Sequence, residues 1–294
     1  MKVTKLLASV VFLIGMQATL LAAPIGFSIS DANGNLYRID LATGVATSLG
    51  AVNYPPDDEI EGLASIGGTL YGVGEANYGT GGLYHITTPP GSLVGQTGFR
   101  FGTESGAAVN PATGVLYNIQ ADDQATGLRS FLYSINLLNA QASFIGASPI
   151  YADGLAINAA GEAFASNFFD TGALYRVNLS NGALTLVGSL GLSLGNLGFD
   201  SGLAFDTDGT LYALREDGAI YTLSTTTGAA TFRAFVTVGG VRVPGDLEGL
   251  DIPALTAGTT PVPEPAAMLL LGTGVAGLAA RLRKRRGLAK SLVS

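Results

Sequence analysis

An acidic residue stands one or two positions before a glycine at five places in the chain. The acids are Glu61, Glu104, Asp153, Asp200 and Glu248, and the glycines that follow them are 44, 48, 48 and 47 residues apart. Carboxylate oxygens are the ligands that hard cations such as Ca²⁺ prefer. Carboxylates that are brought together must bind a counter-ion, raise their pKa values or accept hydrogen bonds from backbone amides. The spacing therefore points to a shared acidic site, if the fold gathers these repeats.

The elements that carry the acids repeat with the same period. Each glycine begins a run of small apolar residues, as in Gly62–Ala64 and Gly202–Ala204. A second repeated element is Leu-Tyr or Ile-Tyr followed by alternating residues, and it begins at Leu36, Leu83, Leu132, Leu174 and Ile220. A period in the forties built from short strands and turns is typical of a β-propeller with four-stranded blades. Since residues 24–260 show no capped 3.6-residue period, we predict an all-β domain.

The two ends of the repeat region complete one blade. Ile25–Ser30 is a predicted second strand with no inner strand before it, and Leu247–Ile252 is a predicted inner strand with nothing after it. Pairing them closes the ring and removes exposed sheet edges. The sequence thus predicts a five-bladed β-propeller closed by its N- and C-terminal strands. Four or six blades remain alternatives, because a degenerate blade could lie within Gly188–Phe199.

The inner strands of a propeller line its channel, so the five acids should form a carboxylate ring near one mouth. At about 8 Å and an effective dielectric constant of about 20, neighbouring carboxylates repel by about 2 kcal/mol. One interpretation is a Ca²⁺ site, with Ca²⁺ as the one candidate cofactor. The other is that each carboxylate binds the backbone where its own strand starts, and recurs because the blade recurs.

Loop length distinguishes the two faces of the predicted ring. The longer connections share one face, called here the long-loop face, and they are Ala51–Ile60, Ala76–Gly82, Asp122–Ser130, Asn167–Gly172 and Leu190–Phe199. Binding residues commonly lie on long loops held by a rigid scaffold. The predicted ligand-binding residues on this face are Tyr54, Asp57, Asp58, Tyr78, Asp122, Phe168 and Phe169. We predict no catalytic residue, since the single histidine, His85, has no evident nucleophile or metal partner.

Charge and composition exclude several classes of function. The segment 23–265 contains seven arginines, no lysine and all twenty-two acidic residues, a net charge of −15. Such a domain repels nucleic acid and anionic lipid, and it suits cations or neutral sugars. The chain has no cysteine, so disulfides and thiolate metal sites are excluded.

The two ends of the chain carry export signals. Residues 1–22 combine two lysines, an apolar run and small residues, which predicts a cleaved signal peptide. The remaining predicted boundaries are a β-propeller over 23–254, a linker over 255–265, a transmembrane helix over 266–282 and a basic cytoplasmic tail over 283–294. The short apolar helix can span a bilayer because its flanking arginines extend its reach.

This C-terminal region resembles the PEP-CTERM sorting signal of Gram-negative bacteria. The resemblance rests on Pro263, Glu264 and Pro265, on the apolar helix, and on Arg281, Arg283, Arg285 and Arg286. It implies recognition by an exosortase-type enzyme, transient residence in the inner membrane, and delivery to the cell surface or extracellular matrix. The eight residues Gly287–Ser294 extend beyond the family's pattern.

Two functions fit this sequence. The first is a non-enzymatic surface or matrix protein whose long-loop face binds a carbohydrate, an ion or a protein, with an exopolysaccharide or a cell-surface protein as partner. The alternative is an extracellular hydrolase or lactonase that uses the carboxylate ring with Ca²⁺.

Overall fold

The computed structural model describes residues 23–55, 59–75, 81–99, 104–122, 129–168, 172–192, 200–243 and 245–253. The chain divides into two units, Met1–Ala254 and Leu255–Ser294, and the described residues all belong to the first. The described residues form strands and turns and contain no helix. Within them, no helix is long and apolar enough to cross a bilayer. The predicted signal peptide, linker, transmembrane helix and basic tail lie outside the described residues and stay predictions.

The strands form five four-stranded antiparallel blades and one short hairpin. Blade 1 contains β22 (Leu247–Asp251), β1 (Ile25–Ser30), β2 (Asn35–Asp40) and β3 (Ala46–Ala51). Blade 2 contains β4 (Ile60–Ile66), β5 (Thr69–Gly74), β6 (Gly82–His85) and β7 (Ser92–Gln96). Blade 3 contains β8 (Glu104–Asn110), β9 (Val115–Ala121), β10 (Ser130–Ile135) and β11 (Ala142–Ser148). Blade 4 contains β12 (Gly154–Ile157), β13 (Ala163–Asn167), β14 (Ala173–Val177) and β15 (Leu184–Ser189).

Blade 5 contains β16 (Ser201–Phe205), β17 (Leu211–Arg215), β18 (Ala219–Leu223) and β19 (Ala230–Phe235). The hairpin β20 (Thr237–Val238) and β21 (Val241–Arg242) follows it. The prediction of a five-bladed, all-β propeller is confirmed.

The ring closes in blade 1, as predicted. β22 pairs antiparallel with β1, and Ile29 lies opposite Glu248 in the register. The buried Ser28 hydroxyl donates a hydrogen bond to the Glu248 carbonyl oxygen at 2.8 Å. Strands from the two ends of the domain thus share one sheet, which leaves neither as an open inner edge.

The Leu-Tyr element marks the third strand of every blade. In all five blades the pairing of the third and fourth strands shifts register between this Leu or Ile and the Tyr, as between Leu36 and Tyr37. A bulge of this kind bends the strand and increases its twist. The extra residue lies on the fourth strand, as Leu49 does in blade 1, so the bulge adds twist at the outer edge of every blade.

The repeated glycines let the inner strands approach one another closely. A Cβ atom on Gly106 would meet the backbone of Asp153 and Leu155 in the next blade, and one on Gly202 would meet Gly249 and Leu250. Gly62, Gly154 and Gly249 face the following inner strand in the same way. Any larger side chain would force the five strands apart, which explains why glycine recurs with the blade period.

The hydrophobic core is divided among the blade interfaces. The five clusters of buried residues each join two consecutive blades, and one of them packs Ile39 of blade 1 against Leu214 of blade 5. Closure of the ring therefore does two things: it completes the four-stranded sheet of blade 1, and it packs blade 1 against blade 5.

Candidate functional site

The five predicted acids all lie where the inner strands start. Glu61 and Glu248 are the second residues of β4 and β22, Glu104 is the first residue of β8, and Asp153 and Asp200 immediately precede β12 and β16. Because the inner strands run in the same direction along the channel, their first residues share one mouth. Glu61, Asp153 and Glu248 are buried, with 6%, 2% and 7% of their surface exposed. The structure brings the carboxylate ring together.

Backbone hydrogen bonds account for part of this arrangement. The Oε2 atom of Glu61 accepts a hydrogen bond of 2.8 Å from the Ser105 amide on the next inner strand. Asp153 Oδ1 accepts one of 2.6 Å from the Gly154 amide on its own strand and one of 3.1 Å from the Ser201 hydroxyl. The other oxygen, Asp153 Oδ2, is buried without a hydrogen-bond partner among the described residues. Capping of its own strand thus explains Asp153 Oδ1 but not Asp153 Oδ2, and Glu61 Oε2 instead joins its strand to the next one.

The carboxyl groups also contact each other. The Glu104 carboxyl group lies next to those of Glu61 and Asp200, and both neighbours influence its pKa. The Tyr151 hydroxyl donates to Asp200 Oδ1 at 3.5 Å, which ties this carboxyl to a buried aromatic ring. Since ionised carboxylates this close repel each other, the ring favours a proton or a cation between them.

Burial and mutual repulsion raise the pKa values of the ring. Burial is the main cause of the raised pKa of Glu61, Glu104, Asp153 and Glu248, and the charges that add to it belong to other carboxylates. Each group prefers its neutral form because ionisation places a charge in a poorly solvated, already acidic site. The mouth therefore takes up protons or a cation.

Three carboxylates at this mouth lie close enough to hold one ion. Ligand oxygens of Asp31, Glu59 and Glu61 all lie within 4.8 Å of one another. The Tyr54 hydroxyl donates to Asp31 Oδ1 at 2.7 Å, and burial is the main cause that raises the pKa of Asp31 to about 6. Asp31 follows β1 and lies outside the repeated motif, so the sequence pattern did not select it. Loop and ring carboxylates together form the candidate cation site.

The predicted ligand-binding residues lie in different environments. Tyr54 is half-buried and positions Asp31, and Asp122 is half-buried at the end of β9. Phe168 is fully buried between blades 4 and 5, with its ring 6.1 Å from that of Tyr221. Because Phe168 fills the core, it has no surface left for a ligand, and we remove it from the predicted set. The other four, Asp57, Asp58, Tyr78 and Phe169, lie outside the described residues.

An arginine at the same face was not predicted. The Arg129 guanidinium lies 5.3 Å from the ring centre of Tyr151, a cation–π contact between the loop before β10 and the loop before β12. Tyr151 in turn hydrogen-bonds to Asp200. Arg129 thus helps to hold one side of the acidic mouth in place.

Solved structures of several kinds are similar to this chain. One from a nidogen–laminin complex is 11% identical, with 77% of this chain and 97% of that chain covered and a TM-score of 0.45. The PQQ-bound aldose sugar dehydrogenase of Streptomyces coelicolor is 17% identical, with 80% and 86% covered and a TM-score of 0.46. A protein described as a gluconolactonase is 14% identical, with 78% and 81% covered and a TM-score of 0.48. No curated protein sequence matches the chain.

The C-terminal region gives a sequence match. Residues 261–286 match the family described as the PEP-CTERM protein-sorting motif, which confirms the predicted resemblance. This motif implies secretion and membrane-associated sorting toward the cell surface. The chain is therefore an exported five-bladed β-propeller protein that carries a PEP-CTERM sorting motif.

Proposed function

We propose that this protein is a non-enzymatic component of the cell surface or extracellular matrix and that its acidic mouth binds Ca²⁺. The observation that carries the proposal is the convergence of Glu61, Glu104, Asp153, Asp200 and Glu248, with Asp31 and Glu59 beside them. A carbohydrate or protein would then bind the long-loop face, where a bound cation supplies free coordination positions. An exopolysaccharide or a cell-surface protein is the proposed partner.

The residues present fit a hard cation. Asp31, Glu59 and Glu61 offer oxygens with a common approach, and Asp153 Oδ2 is an acceptor without a hydrogen-bond partner. Ca²⁺ takes oxygen ligands and neutralises several carboxylates at once. Binding would displace protons from carboxyl groups whose pKa values are raised, so the folded mouth would have a protonated and a cation-bound form.

A second candidate function is an extracellular hydrolase or lactonase. The observation in its favour is the contact between Glu104 and Asp200, because neighbouring carboxyl groups in different protonation states can act as acid and base. His85 does not strengthen this candidate, since its exposed ring lies on β6 and contacts Tyr71 at 4.9 Å.

Sorting remains part of the proposal. We infer that the signal peptide carries the chain across the inner membrane, where the apolar segment 266–282 holds it transiently. An exosortase-type enzyme would then release the propeller to the cell surface.

A calcium titration of the purified protein tests the function. If the mouth binds Ca²⁺, stability rises with free Ca²⁺, by about 2.7 kcal/mol at a hundredfold excess over the dissociation constant. A glycan array with and without Ca²⁺ then tests the ligand, and a panel of chromogenic glycosides and lactones tests turnover. A melting temperature that does not change with Ca²⁺ would contradict the cation site. Turnover by the unaltered protein that Glu104→Gln abolishes would favour the hydrolase or lactonase.

A further inference from the structure

A cavity lies at the mouth of the channel opposite the carboxylate ring. It is formed by the ends of the inner strands and the turns after them, and its volume is about 480 Å³. Its walls include Leu63, Ala107, Ala156, Leu203, Leu250 and Asp251. Small-molecule sites commonly have this size, with mostly apolar walls and a few polar groups. The cavity is separate from the carboxylate ring, which lies where the same strands start.

One wall residue departs from the repeat. Two positions after the glycine that recurs in every inner strand, four of these strands carry alanine, whereas β22 carries Asp251. The four alanines are Ala64, Ala108, Ala156 and Ala204, and all are buried. Since four blades form with alanine here, the blade itself does not require a carboxylate at this position.

Only one of the two carboxylate oxygens of Asp251 accepts a hydrogen bond from the part of the chain that the structure describes. Its Oδ1 accepts a hydrogen bond of 3.1 Å from the Ser65 amide on β4. Its Oδ2 is buried without a hydrogen-bond partner among the described residues. An ionised carboxylate in such a place is costly unless a counter-charge or a donor reaches it. Burial raises the pKa of Asp251 to about 6, so the group is ionised at pH 8 but lacks full solvation.

The charge of the walls selects the kind of ligand. The lining residues include two carboxylates, Asp251 and Asp206, and no basic side chain. An anionic ligand would be repelled by Asp251 and Asp206, and a neutral apolar ligand would leave their charge without compensation. A cation with an apolar body satisfies both the carboxylates and the leucine and alanine walls.

We propose that this cavity binds a small organic ammonium ion, with its charged nitrogen at Asp251 and its apolar part against Leu63, Leu203 and Leu250. The site would allow the propeller to bind an amine-bearing compound on the face opposite the acidic mouth. It does not depend on Ca²⁺ binding at the carboxylate ring.

The test compares three six-carbon probes at pH 8. Binding of n-hexylamine, 1-hexanol and hexanoate to the full chain is measured by ligand-observed NMR or calorimetry. These probes share an apolar body and differ in charge, so their affinities isolate the contribution of the ammonium group. We expect hexylamine to bind at least tenfold more tightly than hexanol, and hexanoate more weakly than hexanol.

Two variants assign the preference to one residue. Asp251→Asn keeps an acceptor for the Ser65 amide but removes the charge, so hexylamine should fall to the affinity of hexanol. Asp251→Ala, the residue type of the other four blades, should do the same. Asp208→Asn is the control, because Asp208 is an exposed acid in the neighbouring turn and should leave the preference unchanged.

Equal affinity for hexylamine and hexanol in the unaltered protein would overturn the proposal without any variant. An amine preference that survives both Asp251 substitutions would also overturn it. Thermal unfolding of each variant confirms that the fold is retained.

Discussion

The Glu104 carboxyl group of blade 3 lies next to that of Asp200 in blade 5, although blade 4 stands between their blades. Two ionised carboxylates this close repel each other, so the pair favours a proton or a cation. Asp200 also accepts a hydrogen bond from the Tyr151 hydroxyl, which holds the Asp200 carboxyl group in place. Because burial and repulsion favour the neutral carboxyl groups, the stability of the mouth should depend on both pH and Ca²⁺.

The protein without Ca²⁺ should be more stable at pH 5 than at pH 8. Asp31 and Asp251 have folded-state pKa values raised to about 6, and that of Glu61 lies well above its usual range. A raised carboxyl pKa stabilises the fold fully below the unfolded-state value of about 4, and this stability is lost as the pH rises through the folded-state value. Thermal unfolding after chelation and dialysis measures the effect.

Saturating Ca²⁺ should reduce this pH dependence, because the cation replaces the protons at the carboxylate ring. If the melting temperature of the chelated protein instead rises from pH 5 to pH 8, the raised pKa values do not govern its stability.

Asp153→Asn should separate the cation site from strand capping. The asparagine keeps a side-chain oxygen for the Gly154 amide but removes a buried carboxyl group that can ionise. We expect the stabilisation by Ca²⁺ to shrink, while the melting temperature at pH 8 without Ca²⁺ stays level or rises, since asparagine cannot ionise in this acidic site. Calorimetric titration and thermal unfolding provide both measurements.

Glu162→Gln is the matched control for Asp153→Asn. Glu162 is a half-exposed acid that pairs with Arg176 at 2.7 Å, away from the start of its inner strand. Exposed ion pairs contribute at most about 1 kcal/mol, so this variant should keep the full calcium response. If Asp153→Asn lowers stability by the same amount with and without Ca²⁺, the carboxylate is only a strand cap.

The sorting motif should control processing of the chain. Exchange of Glu264 for Gln, or of the cluster Arg281–Arg286 for neutral residues, should leave the apolar segment attached and the protein in the cell envelope. The mass of the protein recovered from the cell surface measures this. Recovery of unaltered protein that still contains residues 266–294, from cells with active sorting machinery, would contradict the prediction.

The sequence predicted the scaffold better than the sites, for a physical reason. Gly106 and Gly202 recur because backbone packs against backbone at every blade interface, so a local pattern reports a global fold. Asp31 joins the acidic mouth from outside the repeat, and the packing of blade 1 against blade 2 brings it to Glu61. The cavity beside Asp251 likewise forms from the ends of strands in all five blades.

The sequence also could not predict the direction of the side chain of one loop residue, Phe168. Phe168 follows β13 directly, where an aromatic residue can face solvent or the next blade with equal sequence support. Packing against blade 5 decides the direction, because burial of a phenylalanine contributes about 1.5–3 kcal/mol.

Close packing of the inner strands predicts that Gly249→Ala costs more than Gly67→Ala. Both glycines have a left-handed φ, +57° and +59°, so alanine is strained by about 1–2 kcal/mol at either position. At Gly67 an added Cβ meets no atom within 4 Å, whereas at Gly249 it meets the Glu61 carbonyl oxygen, the Leu63 side chain and the Leu63 nitrogen. Separating β22 from β4 to make room should cost a further ~1–3 kcal/mol, typical of overpacking. Denaturant unfolding of the two variants measures the difference, and equal losses would show that β22 does not pack tightly against β4.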